Sequence, residues 1–186
     1  MKKHVLMSGI AAVTLAGGLT LAGTAVAGPP FGNPEDTAFA AKVWQAIASQ
    51  HFVGPDTIRT YPYEGTPPHG DVLEFIGGKA TIDGREGTVL VKKNYYGDGI
   101  DDDVVLEEPD EYLKSITVMF RREAGYDPED KNWFWAKYTP AGELMKNPKG
   151  MQLAGRVAKG ADVGCIACHA AAEGDDFVYT EISGLK

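Results

Sequence analysis

The chain has 186 residues, of which 44% are hydrophobic and 24% are charged. This length fits one domain, and this composition excludes long disordered or fibrous structures. The formal net charge of −8 makes nucleic acid and an anionic membrane surface unsuitable partners. The chain also has 23 glycines and 11 prolines, which are too many for a protein built mainly of long helices. We therefore expect an α+β fold with strands, turns and a few helices.

The first 27 residues have the features of an export signal. Lys2 and Lys3 precede an apolar stretch over Ile10–Leu21, and Ala25-Val26-Ala27 has small residues where a signal peptidase needs them. We expect cleavage after Ala27 and a periplasmic or secreted mature protein without membrane attachment. The other interpretation is a membrane helix that stays in place. Glycines interrupt the stretch, however, and it is shorter than the roughly 20 apolar residues of a membrane span.

The mature chain is expected to consist of a short linker over residues 28–33 and a single domain over residues 34–186. Asn33 followed by Pro34 and two acidic residues is typical of a helix start. Apolar residues recur at helical spacing after it, which predicts a helix over residues 34–50. Residues 51–70 are expected to form a loop because prolines and tyrosines alternate there. The acidic segment 97–111 lacks the spacing of a calcium loop, and we expect it to be a solvated loop.

Four short runs rich in β-branched and aromatic residues predict an antiparallel sheet. These runs are Val72–Ile76, Thr88–Tyr95, Ser115–Arg122 and Trp133–Tyr138. A short helix is expected over Val163–Glu173 and a strand at Phe177–Thr180. The fold class is thus α+β, an antiparallel sheet flanked by a few helices.

The segment Cys165-Ile166-Ala167-Cys168-His169 matches the attachment motif of c-type haem. The two thiols add to the porphyrin vinyl groups, and the adjacent His169 is the proximal ligand of the iron. A zinc site, a redox dithiol and a structural disulfide are the alternatives. Zinc would need a further ligand, and a redox dithiol is expected at a helix start in a βαβ unit. We favour covalent haem c, on a C-terminal attachment helix, because chance rarely produces this five-residue pattern and an export signal accompanies it.

A sixth iron ligand would have to come from upstream, because residues 170–186 contain neither His nor Met. The candidates that remain are Met119, Met145, Met151, His51, His69 and the lysines. The sequence around Met119 is more typical of a sheet core, and His69 is more typical of a turn residue, with a distal base as its second interpretation. An open sixth position is also consistent with the sequence, and an open iron binds small ligands.

Four stretches of the chain resemble the cytochrome P460 family. They are residues 87–92, Asn132–Tyr138, Cys165–His169 and Asp176–Thr180, and the resemblance covers most of residues 67–181. It implies an antiparallel sheet with flanking helices, a C-terminal c-type haem and a homodimer.

The resemblance also implies a role for Lys92. The name-giving members of the family oxidise hydroxylamine and carry a third covalent bond, from a lysine nitrogen to the porphyrin edge. By motif match this lysine falls on Lys92, and its other interpretation is an exposed strand lysine. If Val89 and Val91 face the core, strand alternation puts Lys92 on the opposite side with Leu90. A relative with the same fold, cytochrome c′-β, lacks the bond and binds nitric oxide under a hydrophobic cap.

The distal residues of the hydroxylamine-oxidising members are not matched here. Their arginine and carboxylate correspond to Leu73 and Thr117, and Glu74 and Asp71 would reach the haem side only with a shifted register. Loss of a positioned base removes a factor of about 10²–10⁴ in rate. The sequence therefore leaves open whether the protein is an enzyme. If it is one, we expect a haem-dependent hydroxylamine oxidoreductase.

Aromatic and polar residues near these motifs are candidates for supporting roles. Trp133, Phe134, Trp135 and Phe120 are expected as haem walls or as plain core. Haem histidines commonly donate their second N–H to a hydrogen-bond acceptor. The candidates for this acceptor are Tyr179, Asp176 and a backbone carbonyl.

The expected function is an exported c-type haem protein with a site for small nitrogen species, which it either oxidises, as with hydroxylamine, or binds, as with nitric oxide. The alternative is a non-enzymatic electron-transfer or gas-binding cytochrome without the lysine–haem bond. A haem-free periplasmic binding module is a third hypothesis. A small nitrogen ligand and a redox partner cytochrome are the expected partners, and no nucleic acid is expected.

Overall fold

The computed structural model describes residues 30–173, 176–180 and 184, so the predicted export signal lies outside the described residues. The first element is helix α1, Pro34–Ser49. The Asn33 side chain accepts a hydrogen bond from the Asp36 backbone N–H at 2.9 Å, which caps the helix start. The predicted helix is therefore confirmed to within one residue.

The strands of the described residues form one antiparallel sheet in chain order. They are β1 (Tyr63–Glu64), β2 (Val72–Ile82), β3 (Arg85–Tyr95), β4 (Leu113–Arg121), β5 (Trp133–Tyr138) and β6 (Ala154–Gly155). Strands β2 and β3 form a hairpin across Asp83 and Gly84, which have φ angles of 51° and 79° as a tight hairpin turn requires. All four predicted strands are present, and the α+β fold class is confirmed.

The acidic segment is not a loop throughout, so that expectation was wrong. It contains two short helices, α2 (Asp102–Glu107) and α3 (Pro109–Tyr112). The Asp101 carboxylate accepts from the Val104 N–H at 3.0 Å and caps α2. Acidic residues in the first turns of both helices favour helix over loop because they face the positive end of the helix dipole.

The C-terminal part is less regular than expected. A short 3₁₀ helix spans Pro128–Asp130, and the predicted C-terminal helix is confined to α4, Cys165–His169. Residues 177–180 form no strand. Phe177 has a φ of 61°, a left-handed conformation that is incompatible with an extended strand.

The sheet has two buried faces because successive residues of a strand point to opposite sides. Helix α1 covers one face, where Val43 and Ile47 pack against Val89, Val91 and their neighbours. The second face is covered by the C-terminal part of the chain, including Ile166 of α4, and has its own apolar cluster around Leu90, Met119 and Trp135. No helix in the described residues is long and apolar enough to cross a membrane.

Candidate functional site

A cleft lies between the second face of the sheet and α4 with the segment after it. Its walls are mainly apolar and include Phe75, Leu90, Met119, Trp135, Leu153 and Val178. Its polar lining includes the four residues that the sequence singles out, namely Lys92, Cys165, Cys168 and His169. The fold thus brings all four to one cleft, although Lys92 is more than 70 residues away from the other three in the chain.

The ring of His169 is held by the backbone. Its Nδ1 lies 2.7 Å from the carbonyl oxygen of Phe177. A carbonyl oxygen only accepts, so Nδ1 donates, and Nε2 is left as the nitrogen with a free lone pair. Burial lowers the pKa of His169, which favours the neutral imidazole that binds metals.

The acceptor of the His169 Nδ1–H is therefore a backbone carbonyl. The Tyr179 and Asp176 side chains, the other two candidate acceptors, have other hydrogen-bond partners. The Tyr179 hydroxyl donates to the Cys168 carbonyl at 2.9 Å. The Asp176 carboxylate binds Arg121 at 2.5 Å. A backbone acceptor leaves no signature in the sequence.

The two cysteines are presented by a single helical turn. Positions three apart on a helix lie on neighbouring parts of one face, and Cys165 and Cys168 occupy such positions in α4. Both are free thiols. Cys168 is exposed and Cys165 is half-buried, and burial raises the pKa of the Cys165 thiol.

Lys92 lies on the cleft side of β3, as strand alternation predicts. Its neighbours Val89 and Val91 belong to the core under α1, whereas Leu90 and Lys92 line the cleft. The side chain is half-buried, so an exposed strand lysine does not describe it. Burial lowers the pKa of the Lys92 ammonium group.

His69 also lines this cleft, although its sequence context is more typical of a turn residue. Its Nδ1 lies 3.0 Å from Oδ1 of Asn94, and its ring centroid is 6.1 Å from that of His169. Burial lowers the pKa of His69 to about 4. No periodic signal links a turn residue to a strand residue 25 positions later, so the sequence offered no way to find this contact.

Trp135 contributes an unpaired polar group. Its indole N–H is buried without a hydrogen-bond partner in the described part of the chain, and its ring lies 4.8 Å from that of His169. A buried donor without a partner costs about 1–3 kcal/mol. This N–H therefore suits a site that is completed by a bound group with an acceptor.

Glu74 and Asp71 are not part of the cleft. The Glu74 carboxylate lies on the α1 side of the sheet, where Arg59 Nε approaches it to 2.6 Å and Lys93 Nζ to 3.2 Å. The Asp71 carboxylate accepts from the Gly97 N–H at 3.2 Å. Thr117 lines the cleft, and among the described residues no carboxylate does.

Comparison with known protein families shows to which family the chain belongs. The model of the family described as Cytochrome P460 matches residues 77–180, which is more than half of the chain. The protein belongs to the cytochrome P460 family. Comparison with curated proteins and with solved structures gives no match.

The cleft fits the haem that membership of the family implies. Haem needs apolar walls, an axial ligand and partners for its polar edge. The cleft has apolar walls such as Phe75 and Leu90, an imidazole on His169 whose Nε2 is available to a metal, and on Trp135 a buried indole N–H without a partner among the described residues. This is a haem protein of the cytochrome P460 family.

Proposed function

We propose that the protein is an exported c-type haem protein whose cleft takes small nitrogen species such as hydroxylamine or nitric oxide. Cys165 and Cys168 would hold the haem covalently, and His169 would bind the iron through Nε2. The observation that carries this proposal is the convergence of two free thiols and an oriented imidazole at one apolar cleft.

The residues of the chain have distinct tasks in this function. The Phe177 carbonyl holds the His169 ring and keeps its Nε2 available, since Nδ1 carries the proton. Apolar side chains such as Phe75 and Leu90 keep water from the cleft, which favours small neutral ligands. Bound haem supplies an iron centre that binds such ligands and exchanges electrons.

Lys92 is the proposed site of the bond to the porphyrin edge. It lines the cleft, and burial favours its neutral amine, which is the nucleophilic form. Joining Nζ to a porphyrin carbon replaces one N–H and one C–H bond by a C–N bond. The reaction would release two protons and two electrons, which hydrogen peroxide would accept as the oxidant and be reduced to two water molecules.

A second candidate function is a gas-binding or electron-transfer cytochrome without this bond. It is favoured by the lack of a carboxylate among the described residues that line the cleft. Hydroxylamine must lose protons as it is oxidised, and a missing base costs about 10²–10⁴-fold in rate. Turnover of hydroxylamine with an added electron acceptor distinguishes the two functions.

The test of haem attachment is denaturing electrophoresis with haem staining, together with intact mass and the ferrous visible spectrum of the same sample. The protein is produced with a c-type maturation system. Covalent haem in the wild type that is lost in Cys165→Ala and Cys168→Ala supports the proposal. A colourless wild type with a disulfide contradicts it.

The same sample tests the lysine bond. A mass two hydrogens below chain plus haem, with a red-shifted Soret band, indicates the bond, and Lys92→Ala should abolish both. A mass equal to chain plus haem without a red-shifted Soret band favours the gas-binding cytochrome.

We also propose export, cleavage after Ala27 and assembly into a homodimer. The mass of the mature chain reports the cleavage site, because an N-terminus at Gly28 is expected. Sedimentation of the purified protein reports its oligomeric state.

A further inference from the structure

His69 and His169 both line the cleft, and their rings lie close together. Their ring centroids are 6.1 Å apart, and their planes are inclined at 84°. Metal–imidazole bonds are about 2.0 Å long, so two imidazoles on opposite sides of one metal have centroids about 6.3 Å apart. The observed separation is therefore that of two histidines that can share one metal ion.

Hydrogen bonds also determine which nitrogen His69 presents. The Asn94 amide nitrogen donates to the carbonyl oxygens of Lys92 at 3.1 Å and Ser115 at 3.0 Å. These oxygens only accept, so the orientation of the amide is settled and its Oδ1 faces His69. Nδ1 of His69 must then donate, and Nε2 carries the free lone pair, as in His169.

We propose that Nε2 of His69 is the sixth ligand of the haem iron, opposite His169. The resting protein is then six-coordinate, and a small ligand binds only after His69 has left the iron. This inference rests on the proposed function because it requires haem bound at His169.

The position of His69 in the fold suits a ligand that can be displaced. It lies in the connection between β1 and β2 rather than within a strand, and its backbone N–H donates to the Thr66 carbonyl at 3.0 Å. Movement of this turn would release the imidazole without breaking the pairing of β2 with β3. Asn94, by contrast, is fully buried within β3, and it acts as a positioning residue for the imidazole.

The test is the spin state of the ferric haem protein, measured by electron paramagnetic resonance and visible absorption. The wild type should be low-spin, and His69→Ala should be high-spin and return to low-spin when imidazole is added. Since a bound internal ligand lowers the population that can bind carbon monoxide, ferrous His69→Ala should bind it about tenfold faster or more. His51→Ala removes an exposed histidine outside the cleft and should behave as the wild type.

Three results would count against the proposal. A high-spin wild type shows that no side chain occupies the sixth position. A low-spin spectrum that persists in His69→Ala without imidazole assigns the ligand to another cleft residue, such as Met119 or a lysine. Asn94→Ala provides a second variant, in which a mixture of spin states is expected, and an unchanged spectrum counts against the proposal. Absence of covalent haem from the wild type would instead refute the proposed function, so the two failures are distinguishable.

Discussion

Replacement of Glu74 by Gln tests the physical role of the buried charges on the α1 side of the sheet. Glu74 is 1% exposed, and Lys93 beside it is 3% exposed. The carboxylate binds Arg59 at 2.6 Å and Lys93 at 3.2 Å and accepts from the Tyr95 hydroxyl at 3.1 Å. In the variant Lys93 keeps its bond to the Ile58 carbonyl at 2.8 Å but loses its counter-charge.

Removal of one partner of a buried ion pair costs about 3–5 kcal/mol. Arg59 contributes less to this loss than Lys93, because its side chain is 30% exposed and water can solvate it. The assay is urea unfolding of the haem-loaded protein. With a slope of about 2 kcal/mol/M, the midpoint should fall by about 2 M. The exposed Glu86→Gln serves as the control and should leave the midpoint unchanged.

The pH dependence of this variant has a definite sign. Burial already lowers the pKa of Lys93 below 10.5, and loss of Glu74 lowers it further. Between the folded and unfolded pKa values the unfolded chain binds more protons, so the stability of the variant rises with pH. Its deficit relative to the wild type should therefore shrink as the pH approaches 10.5.

Two outcomes would refute this reasoning. One is a loss below about 1 kcal/mol at pH 7, the range of exposed ion pairs. The other is failure of the double variant Glu74→Gln/Lys93→Met to recover stability, because removal of both charges should relieve the penalty. The haem spectrum should not change in either variant, since this cluster lies on the face of the sheet opposite the cleft.

Three further predictions concern other parts of the fold. Gly87→Ala should lower the free energy of unfolding by about 1–3 kcal/mol, because a Cβ there would overlap the Arg121 carbonyl oxygen of β4; unchanged urea unfolding would contradict this. Burial, with a neighbouring carboxylate, raises the pKa of Asp130. The contribution of this carboxyl group to stability is therefore full below pH 3.8 and declines as the pH rises through the folded pKa. Asp130→Asn should remove this part of the pH dependence, which thermal unfolding from pH 3 to 7 would measure. Trp133→Phe should cost about 1 kcal/mol because the indole N–H donates to the Asp176 carbonyl at 2.9 Å, and equal urea midpoints for variant and wild type would contradict it.

The sheet and the side on which Lys92 lies could be predicted because both follow from alternation. Val89 and Val91 face α1, and Leu90 and Lys92 face the cleft. Local chemistry alone sets this pattern. The Cys165–His169 turn was likewise predictable, because its residues are adjacent in the chain.

The rest of the site depends on contacts between distant residues or on the backbone. The bond between His69 and Asn94 depends on how a turn meets β3, and the acceptor for His169 is the carbonyl of Phe177. Neither leaves a pattern in the sequence. The helices of the acidic segment are a different case, because Asp101 and Pro109 are ordinary helix-start signals, and the acidic composition obscured them.

The division of charge between the two faces of the sheet has a consequence for the ligand. On the α1 face the positive charge of Lys93 is neutralised by Glu74. The cleft is lined by Lys92 and Lys137 and, within the described residues, by no carboxylate. A cationic ligand would therefore find no counter-charge among the described lining residues, which disfavours it in this apolar cleft. A small neutral molecule incurs no such penalty, and the proposed function therefore predicts that neutral hydroxylamine or nitric oxide binds in preference to a protonated amine.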